Sequence, residues 1–335
     1  MRTFTLTAVA LLALTVNLSA AKWRVNNIPG TNANFTSLQA AHNASYVNNG
    51  DTIYLEASSG SYGDLTATKK LVIIGAGYFL SENENMQANL NSSTVGYIRF
   101  NAESDGSIIS GCTIGRVLVN ASNILIERNR IIAPAGYRGI DFYGTQNNVV
   151  IRQNHITGGG YSTNTSPHAI SCTSTANNVT ITNNYITRIY GSAIVTGSSF
   201  SGIIKNNIIS GNTTIYNTEF YNNIMIEGTF NQNNSSFNNN IGNSTQFGTA
   251  NGNQQNVDMS NVFVGTGSTD GKWQLKGGSP AIGAGVGGVD CGMFGGDFPY
   301  QLSGLPGVPA IYFHEQTIDN VNQKLNVTIK AKSHN

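Results

Sequence analysis

The chain has 335 residues, enough for one elongated domain or two ordinary ones. Only 10% of them are charged and the formal net charge is +1, which leaves no basic face for nucleic acid or an anionic membrane. Glycine (38 residues), Asn, Ser and Thr stand where Lys and Glu usually do, so long helices are disfavoured and short strands with tight turns are expected.

Residues 1–21 read as a signal peptide. Arg2 gives a positive start, "AVALLALTV" is apolar but too short to span a bilayer, and "SAA" (Ser19 to Ala21) supplies small residues for cleavage. The mature chain is expected from Lys22, secreted or extracellular and open to cell-surface association. No cysteine near the cleavage site suggests a lipid anchor, and no other stretch reads as a membrane span.

Residues 22–80 read as an N-terminal cap with the first strands. Phe35, Leu38, Ala41 and Val47 form an apolar stripe on a short helix, with Asn34 as its cap. "GDTIYLE" and "KKLVIIGAG" then alternate as strands.

Residues 81–298 carry a repeat. "ILIERNRI", "VVIRQNHI", "VTITNNYI" and "GIIKNNII" place Asn129, Asn154, Asn184 and Asn207 at one equivalent position. "YNNIM" and "FNNNI" continue the series at Asn223 and Asn239, and "SGCTI" offers Cys112 at its start. From Asn129 onward the intervals are 25, 30, 23, 16 and 16 residues, a variable period that marks a solenoid. Ile124, Ile126, Val149, Ile151, Val179 and Ile181 point inward, while Glu127, Arg152, Thr182 and Lys205 point to solvent. A further strand aligns Ile140, Ile170 and Ile194. With two or three strands per coil and no helix between them, the fold class is all-β. It is a right-handed single-stranded parallel β-helix with a short helical N-terminal cap, its coils stacked at about 4.8 Å. The left-handed form needs a regular hexapeptide pattern, which is absent.

In such a stack the recurrent asparagines form a structural ladder. Asparagine tolerates a left-handed turn, and its amide satisfies backbone groups that a bend would bury. The preceding position varies (Arg128, Gln153, Asn183, Asn206) and is expected to face water. Cys112, Cys172 and Cys291 lie in apolar contexts and read as buried free thiols rather than a disulfide framework. Residues 299–335, with Pro299, Pro306 and Pro309, read as a tail ending in a strand, "KLNVTIKAKSHN". It either packs along the helix or pairs as an edge.

The order of short helix, "GDTI" strand, "GSYGDL" turn and "KKLVIIG" strand resembles the N-terminal cap of secreted pectin-lyase-like β-helix proteins. "GSPAIGAG" with "DCGMFGG" (277–296) is similar to the closing coil of many bacterial members. The resemblance covers roughly Lys22 to Asp297 and implies the fold; activities in that superfamily range from lyases and hydrolases to adhesins. Lyases of the family use a basic residue to abstract a proton beside a uronate, with calcium or extra cations neutralising the sugar acid. The paired-aspartate phrases of polygalacturonases do not occur here.

One constellation fits a lyase. Placing Ile140 over Ile170 sets Arg138 beside His168 and Asp141 beside Ser171 on the outer face, with Tyr143 on the same face and Tyr161 in an overhanging loop. Arg138 would act as base or uronate clamp, His168 as acid or base and Asp141 as orienter. Tyr143, Tyr161 and Ser171 would bind sugar. Against this stands a plain ladder of solvated polar residues. No metal site is read from the histidines and cysteines, and no cofactor is expected, calcium only for a lyase. Two functional readings remain: a non-catalytic β-helix contacting extracellular polysaccharide, or a carbohydrate-active enzyme, a polysaccharide lyase first.

Overall fold

A β-branched residue, a polar one, another β-branched residue and then a bend: this phrase builds the structure. In the computed structural model, which describes residues 20–160 and 167–333, each such phrase forms a strand of an 11-stranded parallel sheet. This first face runs from Lys22–Val25 through Leu125–Glu127 and Val150–Arg152 to Ser236–Asn238. A second sheet of 14 strands turns a corner through the eight-residue strands Ser93–Phe100 and Cys112–Val119. It supplies a second face, from Arg130–Ile132 to Ile241–Gly242, and a third, from Leu65–Ala67 to Phe230–Asn233. Coils of three strands therefore wind round one core. Ile126, Ile151, Ile181 and Ile204 stack inside it from the first face, Ile131, Ile156 and Ile186 from the second, and Ile140, Ile170 and Ile194 from the third. Parallel crossovers are right-handed as a rule, which is the sense expected from the irregular coil length.

The corner between first and second faces holds the asparagine ladder. Asn154 Oδ1 accepts the Asn129 backbone N–H at 2.9 Å and its Nδ2–H at 3.2 Å. Asn154 Nδ2 donates to the Ile126 and Arg152 carbonyls, both at 2.8 Å, and reaches Asn184 Oδ1 at 3.0 Å. Asn184, Asn207 and Asn223 repeat the pattern, all fully buried. Cys112 occupies the rung below Asn129, its backbone N–H donating to Asn129 Oδ1 at 3.0 Å. The ladder then departs from the sequence reading. Its next rung is Asn240, not Asn239, and Asn253 follows it. Three consecutive asparagines in "FNNNI" left the register open, and burial of Ile241 over Ile224 decides it.

The left-handed residue is also one place earlier than expected. Arg128, Gln153, Asn183, Asn206, Asn222 and Asn239 have φ between 50° and 58°, whereas the ladder asparagines do not. Nor does that position face water. Gln153, Asn183, Asn206 and Asn222 are buried, because residues 284–305 run along this corner against the direction of the stack. Asn239 Nδ2 donates to the Ala284 carbonyl, Asn222 Oδ1 accepts the Val286 N–H, and Asn206 Nδ2 donates to Asp290. Asn183 then donates to Met293, Gln153 to Pro299, and Arg128 to Leu305. Thr182, read as solvent-facing, is buried beneath the same strap. So the phrases in 277–296 contribute no strand and form no closing coil.

The strap and residues 257–276 cover the outside of the second face. Ile208, Ile224 and Ile241 pack outward against Val262, Phe263 and Met293, so this face is apolar on both sides. Next to them His155, Tyr185 and Trp273 form an aromatic stack, with Phe79 edge-on to His155 and centroids 4.7–5.2 Å apart. At the N-terminal end, the helix Leu38–Asn43 buries Leu38 and Ala41 over the first coil. Its cap is Ser37, whose Oγ accepts the Ala40 N–H; Asn34 instead accepts the Arg24 N–H. All three cysteines are buried free thiols. Beyond Pro309 the chain forms an antiparallel hairpin, Ala310–Asp319 with Lys324–Lys332.

Two outcomes test this account. Asn184→Leu removes acceptors from Asn154 and donors from Ile151 and Thr182 in a site too dry to rehydrate. Several orphaned groups at about 1–3 kcal/mol each should lower unfolding free energy by at least about 3 kcal/mol in a urea titration. Acid should also destabilise the fold. Burial, with Arg130 and Lys272 nearby, pushes the His155 imidazole down to about 3. Its stabilising contribution is complete above about pH 6.5, where unfolded histidine is neutral too. Between about 6.5 and 3 the unfolded chain binds a proton that the folded chain does not, so stability falls as pH falls. Melting temperature should drop from pH 7 to 4, and less steeply in His155→Phe.

Candidate functional site

On the third face, register sets which outward side chains meet. The strand Ser93–Phe100 lies beside Cys112–Val119, pairing Tyr97 with Arg116 and Arg99 with Leu118. The strand Ile140–Phe142 adds Asp141 beside Leu118, and Ile140 then pairs with Ile170 and Asp141 with Ser171. The stacking expected for these two strands is therefore present, with surroundings different from a solvated ladder.

Asp141 is buried between two guanidinium groups. Its Oδ1 accepts from Arg138 Nη1 at 2.8 Å and its Oδ2 from Arg116 Nη2 at 2.9 Å. Both carboxylate oxygens are thus committed to arginine, and none of its hydrogen bonds goes to His168. The His168 Nδ1 accepts the Ser192 backbone N–H at 3.2 Å, which places the ring proton on Nε2. Burial, reinforced by Arg138 and opposed by Asp141, pushes this imidazole down to about 4, so it is neutral at pH 7. Ser171 is fully buried and its hydroxyl has no partner among the described residues, so it offers no sugar-binding surface. Tyr143 is 69% exposed. Tyr161 lies outside the described residues.

The open surface lies one coil toward the N-terminus from the expected constellation. A groove of about 420 Å³ is lined by Tyr97, Arg99, Arg116, Leu118, Pro134 and Tyr137, and by Asp64, whose Oδ1 accepts the Tyr97 backbone N–H. It continues, past Arg99, Arg116 and Leu118, into a depression of about 290 Å³ bounded by Asn101, Asn120 and Tyr143. Gly96 and Gly115 help line it, and neither has room for a side chain. A Cβ at Gly115 would lie 2.5 Å from the Gly96 carbonyl, and one at Gly96 would meet Asp64 Oδ1. The Arg116 guanidinium sits over the Tyr137 ring, 5.2 Å from its centroid. Arg99 is exposed and has no ion-pair partner among the described residues. No group of three or more His, Cys, Asp or Glu side chains is placed to hold a metal among those residues.

Arg99, Arg116, Tyr97 and Tyr137 were not singled out in the sequence. Their signal was there: "VGYIRF" (95–100) and "IGRVLV" (114–119) share a glycine at the same point, and aligning them puts Tyr97 over Arg116.

The ion-pair cluster has a measurable consequence. Asp141→Asn leaves two partly buried guanidinium groups facing each other without their shared counter-ion. Since both arginines retain some solvent, the cost should be about 2 kcal/mol, below that of a wholly buried pair, in a urea titration.

No family model and no curated protein matches the chain. Among solved structures, the crystal structure of pectate lyase Pel9A is similar over 82% of this chain and 97% of its own, with 14% identity and a TM-score of 0.42. What carries the fold assignment is the pairing of the strands: with three faces of parallel strands wound round one apolar core, the chain is a parallel β-helix.

Proposed function

We propose that this protein is secreted and binds extracellular polysaccharide along the groove of Tyr97, Arg99, Arg116, Tyr137 and Tyr143, without cleaving it. The observation that carries this reading is the exposed Arg99 guanidinium, without an ion-pair partner among the described residues, in a groove bordered by tyrosine rings. Tyrosine faces suit the apolar faces of sugar rings, and an uncommitted arginine suits a sugar carboxylate or sulfate. Export is supported by the composition of residues 1–21.

The non-catalytic reading is supported by the state of the acid–base groups. Both Asp141 oxygens are committed to arginines, and His168 is neutral with Nδ1 already accepting a backbone N–H. The imidazole, neutral and with its acceptor nitrogen occupied, is not placed to take a proton from a bound sugar.

The test is a panel of acidic and neutral polysaccharides, scored for retention, new reducing ends and unsaturated products. Retention on acidic glycans without either product is expected, and Arg99→Ala should weaken it by roughly 10-fold or more, the worth of one charge-assisted hydrogen bond. Melting temperature should not change, since Arg99 makes no internal ion pair among the described residues. Unsaturated products lost in Arg138→Ala or His168→Ala would replace this reading with a lyase, and calcium dependence of that turnover would strengthen the replacement.

A further inference from the structure

The hairpin at the C-terminal end is built unlike the rest of the molecule. Among the described residues its strands form a sheet only with each other, tied to the body by one bond from the Ala88 N–H to the Ile311 carbonyl, and nearly every residue from Ile311 to Ser333 is exposed. An isolated two-stranded ribbon is marginal in water. This one is also sharply two-faced. Cross-strand pairing puts Ile318 opposite Leu325, Gln316 opposite Val327, His314 opposite Ile329 and Ile311 opposite Ala331, all on one side. The register shift between Ile311 and Phe313 keeps Ile311 on that side. The acidic and lysine side chains lie on the other, where Asp319 faces Lys324, Glu315 faces Thr328, and Lys330 and Lys332 sit over Phe313 and Tyr312.

We propose that the apolar face of this ribbon is the interface between two copies of the chain, packed face to face about a two-fold axis into a four-stranded sandwich. Three observations select a second copy as the occupant. The face carries no Asp, Glu, Lys or Arg, so bringing it against itself incurs no like-charge repulsion, and a two-fold contact needs such a self-complementary patch. Its apolar side chains, Ile311, Ile318, Leu325, Val327 and Ile329, are 48–74% exposed, and Val321 at the turn is 91% exposed. Ile311 and His314 at the base border a depression shared with residues 87–90 of the same chain, so the outer part of the face, from Ile318 and Leu325 to Val327 and Ile329, would carry the contact. Two copies would remove on the order of 1,000 Å² from water, about the least that a specific interface needs. Finally, sheet-on-sheet packing is the arrangement that gives a two-stranded ribbon the core it otherwise lacks. A lipid surface fits less well, because the lysines point away from the face that would enter the membrane.

The experiment is sedimentation equilibrium of the full mature chain, loaded up to about 100 µM, well above the micromolar Kd that an interface of this size ordinarily reaches. A mass of two chains is expected, falling to one chain in Val327→Lys, with the circular dichroism spectrum unchanged. Because the native cysteines are buried, an added surface cysteine can be cross-linked selectively. Val327→Cys should give a disulfide-linked dimer under mild oxidation, while Thr328→Cys, on the opposite side, should give little. A wild-type chain that stays monomeric at the highest loading overturns the proposal. So does a dimer unaffected by Val327→Lys, or equal cross-linking through both cysteines. Monomer bound to lipid vesicles or to another protein through this face would overturn it as well, by showing a different occupant.

Discussion

Everything in this molecule depends on turning a buried corner without stranding backbone hydrogen-bonding groups. A coil that bends away from the first sheet directs N–H and C=O groups into a region water cannot reach, where each unpaired group costs about 1–3 kcal/mol. The side-chain amide of asparagine resolves this because it is short and carries both donors and an acceptor. At each rung it receives the N–H of the coil below and donates to carbonyls of its own coil and that neighbour. No aliphatic side chain does this, and a charged one would be buried without a counter-ion. The ladder is therefore a condition of the stack.

Once corner and core fix the register, the outer faces follow. Because side chains alternate and coils stack in register, a residue two places along a strand joins a column that runs up the whole face. On the third face, columns passing through Tyr97, Arg99, Arg116 and Asp141 bring together residues that are far apart in the chain. One of these groups, Asp141, is used to tie arginines down; another, Arg99, is left open. The groove and the ion-pair cluster are neighbouring stretches of one surface that share Arg116.

The second face is used differently. Its outer side is covered by the returning strap, which satisfies its backbone on the amides of Asn183, Asn206, Asn222 and Asn239. Those residues adopt left-handed conformations that turn their side chains outward from the corner. One asparagine of each pair thus faces the core and holds the coils together, while the other faces out and holds the tail. Phe79 and Trp273, packed on the same face, enclose His155 and Tyr185 in a dry aromatic cluster, and that burial, with nearby positive charge, makes the histidine resist protonation.

The sequence by itself determined the coil. Alternating β-branched residues around a recurrent asparagine allow few arrangements other than a parallel β-helix, and Ile140 over Ile170 was legible from that repeat. Where the repeat lost contrast, as in "FNNNI", only the burial of Ile241 decided which asparagine enters the ladder. Covering was not legible. A strand with apolar residues on both sides, such as "NIIS" or "NIMI", does not say what will lie on its outer face, and the strap has no periodicity to show where it packs. Likewise, that Ser171 is buried, that Asp141 is shared by Arg116 and Arg138, and that the open groove lies nearer Arg99 depend on distances across coils. Local pattern specifies which way a side chain points; only the assembled tertiary structure decides whether water, another side chain or a returning segment meets it there.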